Sequence, residues 1–269
     1  MLVRLSAVAA ALALLAAGCG GDGPSRRDAV AHYIEELNTI QAEAERPSLA
    51  VSQASRRLAK PQADRAAVSR KLRGAARQID RLRERVAALS PPADARRLRL
   101  LVLELMRSEA ALAREMAQFA TFAPALQDAL RPLGPAGAQL KTALAAKSAP
   151  AVKAAALEAY AASIAAALRR LRALQPPPVS APAYRSQLTT LERVRAASAA
   201  LALALREKRA EDLPKLLRGF EQAALSNQSL AAQRAQIAAV RAYNGRVRSL
   251  DDLTVRIYRE RARLQKVLD

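Results

Sequence analysis

A single cysteine, Cys19, and a single histidine, His32, bound the side-chain chemistry open to this 269-residue chain. Zinc clusters draw their ligands from such residues, so these numbers exclude them. A di-iron carboxylate bundle takes a Glu-x-x-His from each of two helices, and one histidine cannot supply both. A serine triad would have only His32 as its base, and no Gly-x-Ser-x-Gly elbow occurs. His32 stands three residues before Glu35, a spacing that puts two ligands on one helical turn. Without a further ligand, a surface histidine is the simpler reading. Paired carboxylates occur at Glu35/Glu36 and Asp251/Asp252. Neighbouring helical positions point about 100° apart, so neither pair converges on one substrate. Gly-rich phosphate loops are absent after the leader. The expectation is a non-enzymatic protein with no metal and no cofactor.

Cys19 closes a segment with the parts of an export signal. Arg4 marks a short basic region, an Ala/Leu/Val run follows, and Ala16, Ala17 and Gly18 end it. The run is much shorter than the roughly 20 residues that span a bilayer as a helix. Gly18, Gly20, Gly21 and Gly23 would break a buried helix at once. A lone thiol here has no disulfide partner to explain it.

Leu15-Ala16-Ala17-Gly18-Cys19 resembles the lipobox of bacterial lipoproteins. It departs in having Ala16 where leucine is commoner, with Leu15 one place earlier. The resemblance implies a diacylglyceryl group on the Cys19 thiol, with palmitate as an expected acyl chain. It also implies cleavage of the 1–18 signal peptide, so that Cys19 becomes the N-terminus. Residues 19–27 then form the lipidated cysteine and a Gly/Ser/Pro tether. The remainder resembles all-helical lipoproteins of GC-rich Gram-positive bacteria, in leader and composition only. The His32–Glu35 spacing is similar to the His-x-x-Glu of imelysin-like exported bundle proteins, and that likeness goes no further.

The elements that carry these residues are helical throughout. Half the chain is apolar, yet aromatics are only 3% and tryptophan is absent, so alanine and leucine supply the core. The pattern predicts an all-α, extended antiparallel helical bundle. A helix runs from an Asp28 N-cap to Lys60-Pro61, kinked at Pro47. The second, about 62–89, carries Val68, Leu72, Ala75, Ile79, Leu82, Val86 and Leu89 in coiled-coil steps. A third spans about 93–121, followed by short helices near 124–130 and 136–146. A helix from Pro150 stops at the prolines 176–178, and another covers about 182–207. One long helix is expected from Glu211 to the end.

The halves look related. Leu89-Ser90-Pro91-Pro92 matches Leu174-Gln175-Pro176-Pro177 at an offset of 85. Leu100, Leu103 and Glu104 match Leu188, Leu191 and Glu192 at an offset of 88. Two kindred hairpins imply a first helical unit at 28–146 and a second at 147–269.

Net charge is +20, and +19 without Arg4 of the leader. Such a balance attracts polyanions. Arginines outnumber lysines 36 to 8, a bias that a GC-rich genome also produces. Nucleic acid is not expected for an exported chain almost without stacking aromatics. Anionic lipids or acidic wall polymers fit better, beside a protein partner that the sequence does not name. The arginines from 241 to 263 spread around their helix, and Arg256, Arg259 and Arg263 are the candidate anionic-surface contacts. Asn38, Gln41 and Asn227 lie among apolar positions and are the candidate interhelical polar contacts. Together these point to an interaction or scaffold module, exported and anchored to the outer face of the cytoplasmic membrane. The alternative is a ligand-binding lipoprotein that serves a transporter through a pocket between helices.

Overall fold

The computed structural model describes residues 25–58, 60, 63–225 and 230–269. Among them the regular structure is helical: α1 (Arg26–Leu58), α2 (Arg65–Ala88), α3 (Arg96–Leu130), α4 (Leu133–Ala145), α5 (Pro150–Arg172), α6 (Ala181–Arg206), α7 (Leu213–Leu225) and α8 (Leu230–Leu268). A 3-10 turn at Ala93–Ala95 leads into α3. The protein is all-α.

Local chemistry sets the boundaries. The helix start expected at Asp28 lies earlier, because Ser25 and Asp28 form a reciprocal cap. The Ser25 hydroxyl donates to Asp28 Oδ2 at 2.6 Å, and the Asp28 backbone N–H donates to Ser25 Oγ at 3.1 Å. Asp64 caps α2 by accepting from Ala67 N at 2.9 Å. α1 passes through Pro47 unbroken. α3 likewise passes through Pro124, where the sequence pattern ends a helix. A proline inside a helix costs about 3 kcal/mol. Beyond Pro124, Ala129 is buried and Leu126 and Leu130 pack against the same core as Phe122. Burying even one such side chain returns about 1.5–3 kcal/mol, which offsets the lost hydrogen bond. The single helix expected from Glu211 is α7 and α8 with residues 226–229 between them, and those four lie outside the described residues.

The described residues form two compact units, one of those from 25 to 120 and from 244 to 269, the other of those from 121 to 243. This differs from the sequential division at residue 146. The first unit is a four-helix bundle of α1, α2, the first part of α3 and the last part of α8. Cross-links fix an up-down-up-down order: Glu43 with Arg85 joins α1 to α2, Asp80 with Arg114 joins α2 to α3, and Glu115 with Arg246 joins α3 to α8. Its core takes Val30, Tyr33, Leu37 and Ile40 from α1 and Leu72, Ile79 and Val86 from α2. Leu98, Val102, Ala110, Ala113 and Ala117 come from α3, and Leu253, Ile257 and Leu264 from α8. α8 therefore fills the side that α1–α3 leave open.

In the second unit α5 packs on α6, with α4 and α7 beside them. α5 is long and apolar enough to cross a membrane by composition. It buries Leu157, Ile164 and Leu171 in the cores of this unit.

At each hinge a side chain of the following helix donates to a carbonyl near the end of the preceding one. At the first, Arg99 Nε donates to Val86 O at 3.4 Å and Arg99 Nη2 donates to Ala87 O, so α3 caps the C-terminus of α2. At the second, the Tyr184 hydroxyl of α6 donates to Leu171 O near the end of α5. Shifting Val86 and Arg99 by 85 places gives Leu171 and Tyr184. The same shift maps the fully buried Ser69, Leu72, Ile79 and Val86 onto the fully buried Ala154, Leu157, Ile164 and Leu171. Beyond the first turn of α3, a shift of 88 maps buried Met106, Ala110 and Ala113 onto buried Val194, Ser198 and Leu201. Val102 departs from the pattern, since its counterpart Thr190 is only half-buried. Tyr184→Phe removes the second cap and leaves the Leu171 carbonyl with the Leu174 N–H, at 2.8 Å, as its donor. Denaturant unfolding should show a loss of about 0.5–1.5 kcal/mol, and no loss would mean the hydroxyl does not hold the hinge.

Candidate functional site

Cys19 and Asn227 lie outside the described residues. His32 is exposed on α1, with Nε2 3.8 Å from Glu36 Oε1 rather than facing Glu35. Among the described residues no three His, Cys, Asp or Glu side chains gather in a way that could hold a metal ion. The buried hydroxyls of Ser69 and Ser198 donate to the carbonyls of Ala117 and Val194, both at 2.8 Å. Asp251 and Asp252 are exposed on α8.

Asn38 and Gln41 meet one partner. Arg261 of α8 donates through Nη2 to Asn38 Oδ1 at 2.8 Å and to Gln41 Oε1. These bonds join α8 to α1 and set their register. Two amide dipoles face the guanidinium at this seam, and desolvation lowers its pKa. An arginine cannot shed its proton in response, so the amides carry the compensation.

One end of the first unit holds a charge network. Arg26 grips Asp94 through two bonds of 2.7 Å, which hold the Asp94 carboxyl below the usual carboxylate range. Arg263 Nη2 donates to the Asp94 carbonyl and, at 2.7 Å, to Glu260 Oε1. Glu260 is only 5% exposed, and Arg97 approaches its other oxygen at 3.8 Å. Arg263 is thus a tie between α8 and the turn before α3. Arg256 and Arg259 are exposed. With Arg263 and Lys266 they step 3-4-3 along one helix face, so this subset forms a stripe although the arginines from 241 onward do not.

Burial isolates two carboxylates that the sequence pattern did not single out. Glu109 Oε1 is sealed from solvent without a partner, and Ser48 hydrogen-bonds the side chain. Desolvation outweighs that bond and raises the Glu109 pKa. Glu115 bonds Arg246 through Oε2, and its Oε1 is also sealed. The signal was positional. Glu109 sits between Met106 and Ala113, and Glu260 between Ile257 and Leu264, each at a seam step.

Two concavities flank α1 and α2. One, of about 640 Å³, lies at their connecting turn and is lined by Arg57, Lys60, Asp64 and Lys71 with small apolar residues. The other, of about 350 Å³, lies beside Pro47 and is lined by Glu43, Arg46, Gln78, Arg81 and Arg85. Glu43 is committed to Arg85, whose hydrogen bond lowers its pKa. Both hollows favour anions. No family model, no curated protein and no solved structure matches this chain.

Two outcomes test this geometry. Glu109 binds its proton more tightly folded than unfolded, so it lowers stability as pH rises above about 4.3, its unfolded value. Glu109→Gln should stabilise the first unit at pH 7, and the gain should vanish below about pH 4. A gain independent of pH would mean that ionisation of the buried carboxylate is not its source. In a double-mutant cycle, Asn38→Leu and Arg261→Leu should couple by about 0.5–3 kcal/mol; simple additivity would mean the contact does not hold the register.

Proposed function

We propose that this protein is a lipoprotein, anchored by acyl chains on Cys19 to the outer face of the cytoplasmic membrane, and that its helical bundles act as an interaction or scaffold module of the cell envelope. The observation that carries this reading is the order of its first residues: Arg4, a short apolar run, and small residues ending at Cys19. Two acyl chains hold a protein stably where one does not. The surface fits the role in kind. Arg261 with Asn38 and Gln41 serves helix register, while exposed cations such as Arg27, Arg96 and Arg259 are placed to meet anionic lipids or acidic wall polymers. A ligand-binding lipoprotein feeding a transporter is the second reading. The 640 Å³ hollow favours it by size, and its charged, open lining argues for a surface contact instead.

The experiment is metabolic labelling with an alkyne fatty acid. The wild-type chain should label and sediment with membranes, and Cys19→Ser should lose the label. Persistent labelling of the serine variant would sink the proposal.

A further inference from the structure

We propose that the end of the first unit carrying the α1 N-terminus is its membrane-facing surface and takes the headgroups of anionic lipids. This rests on the reading of Cys19 as lipidated.

Chain length selects the end. Ser25, where the cap of α1 begins, follows Cys19 by six residues, which reach at most about 20 Å whatever path they take. α1 is 33 residues long, about 50 Å of helix. A lipid on Cys19 therefore holds the Arg26 end near the headgroups, and the α1–α2 turn lies beyond that reach. Charge alone would not decide, because Arg57, Lys60 and Lys71 make the far turn basic as well.

The near end is also chemically suited. The ties of Asp94 to Arg26 and Arg263 bring the starts of α1 and α3 and the last turns of α8 to one level. Arg27, Arg96, Arg259 and Lys266 are exposed there. Arg97 is 71% exposed and only loosely engaged with Glu260. The local carboxylates are largely spent: Asp28 in the cap with Ser25, Asp94 on Arg26, and buried Glu260 on Arg263. Among the described residues Asp269 is also at this end, where it accepts from Gln265. The internal ion pairs thus hold the frame, and a set of uncommitted cations faces outward. Each cation near an anionic bilayer improves binding roughly five-fold.

The test uses the full chain reconstituted in vesicles, with a fluorophore on Ala93→Cys at this end or Gln53→Cys at the other. Energy transfer to a headgroup acceptor lipid should be stronger from position 93. It should rise when phosphatidylglycerol replaces part of a phosphatidylcholine bilayer, and the rise should disappear in 0.5 M salt. Arg27→Gln, Arg96→Gln and Lys266→Gln together should abolish the phosphatidylglycerol and salt dependence while position 93 stays the nearer. Transfer from 93 no stronger than from 53, or unchanged by lipid charge, would overturn the proposal. So would salt-sensitive capture of soluble polyphosphate without approach to the vesicle. An intact mass lacking the lipid would contradict the anchoring reading instead. Flotation on anionic vesicles, falling ten-fold or more in the triple variant, would then still uphold the surface, and equal flotation would overturn it.

Discussion

α1, α2 and α3 turn apolar stripes toward a common axis, and that axis is shut off from water only where Leu253, Ile257 and Leu264 of α8 reach it. The rest of the first unit follows from this closure. Leu264 is fully buried and Leu253 and Ile257 nearly so, and each contributes about 1.5–3 kcal/mol by leaving water. Among the described residues this core is mostly alanine, leucine, isoleucine and valine with Tyr33 as its one ring, and its small side chains gain little per residue. It therefore needs the full circuit of four helices. The long separation in sequence between α3 and the end of α8 is the entropic cost of that circuit.

Polar contacts then choose among the ways four Ala/Leu-rich helices could pack. Such helices imitate one another, and a seam of small side chains permits slippage. Arg261 on Asn38 and Gln41 fixes α8 against α1, while Arg263 and Glu260 fix it against the start of α3. Glu109 has no such compensation for its sealed oxygen. It lowers the stability of the bundle at neutral pH, and nothing in the geometry assigns it a catalytic task. The cations left over after these ties are what the surface offers to the envelope.

Fold class was legible because it rests on period and composition, and the seam of α2 from Val68 to Val86 could be read residue by residue. Hinges were legible because Pro91-Pro92 and Pro176-Pro177 have a local steric effect. What could not be read locally was pairing. Nothing near Leu253 says that it closes a bundle begun by Val30, so a division by sequence order was the natural expectation and the observed units cross it. Pro124 looked like a helix end because its cost is local, whereas the burial of Ala129 that outweighs it is tertiary. Among polar residues, Asn38 and Gln41 stood out against their apolar neighbours. Glu109 and Glu260 were passed over, although each occupies a seam step. Arg263 could be seen as a cation, but not as a tie, until Asp94 was placed beside it.

Native-state hydrogen exchange on the full chain tests the closure most directly. If α8 completes the first unit, amides from Leu250 to Leu264 should open with the same free energy and denaturant dependence as those of α1, α2 and the first part of α3, as one cooperative unit. Rapid exchange along that stretch of α8, while α1–α3 remain protected, would contradict the account.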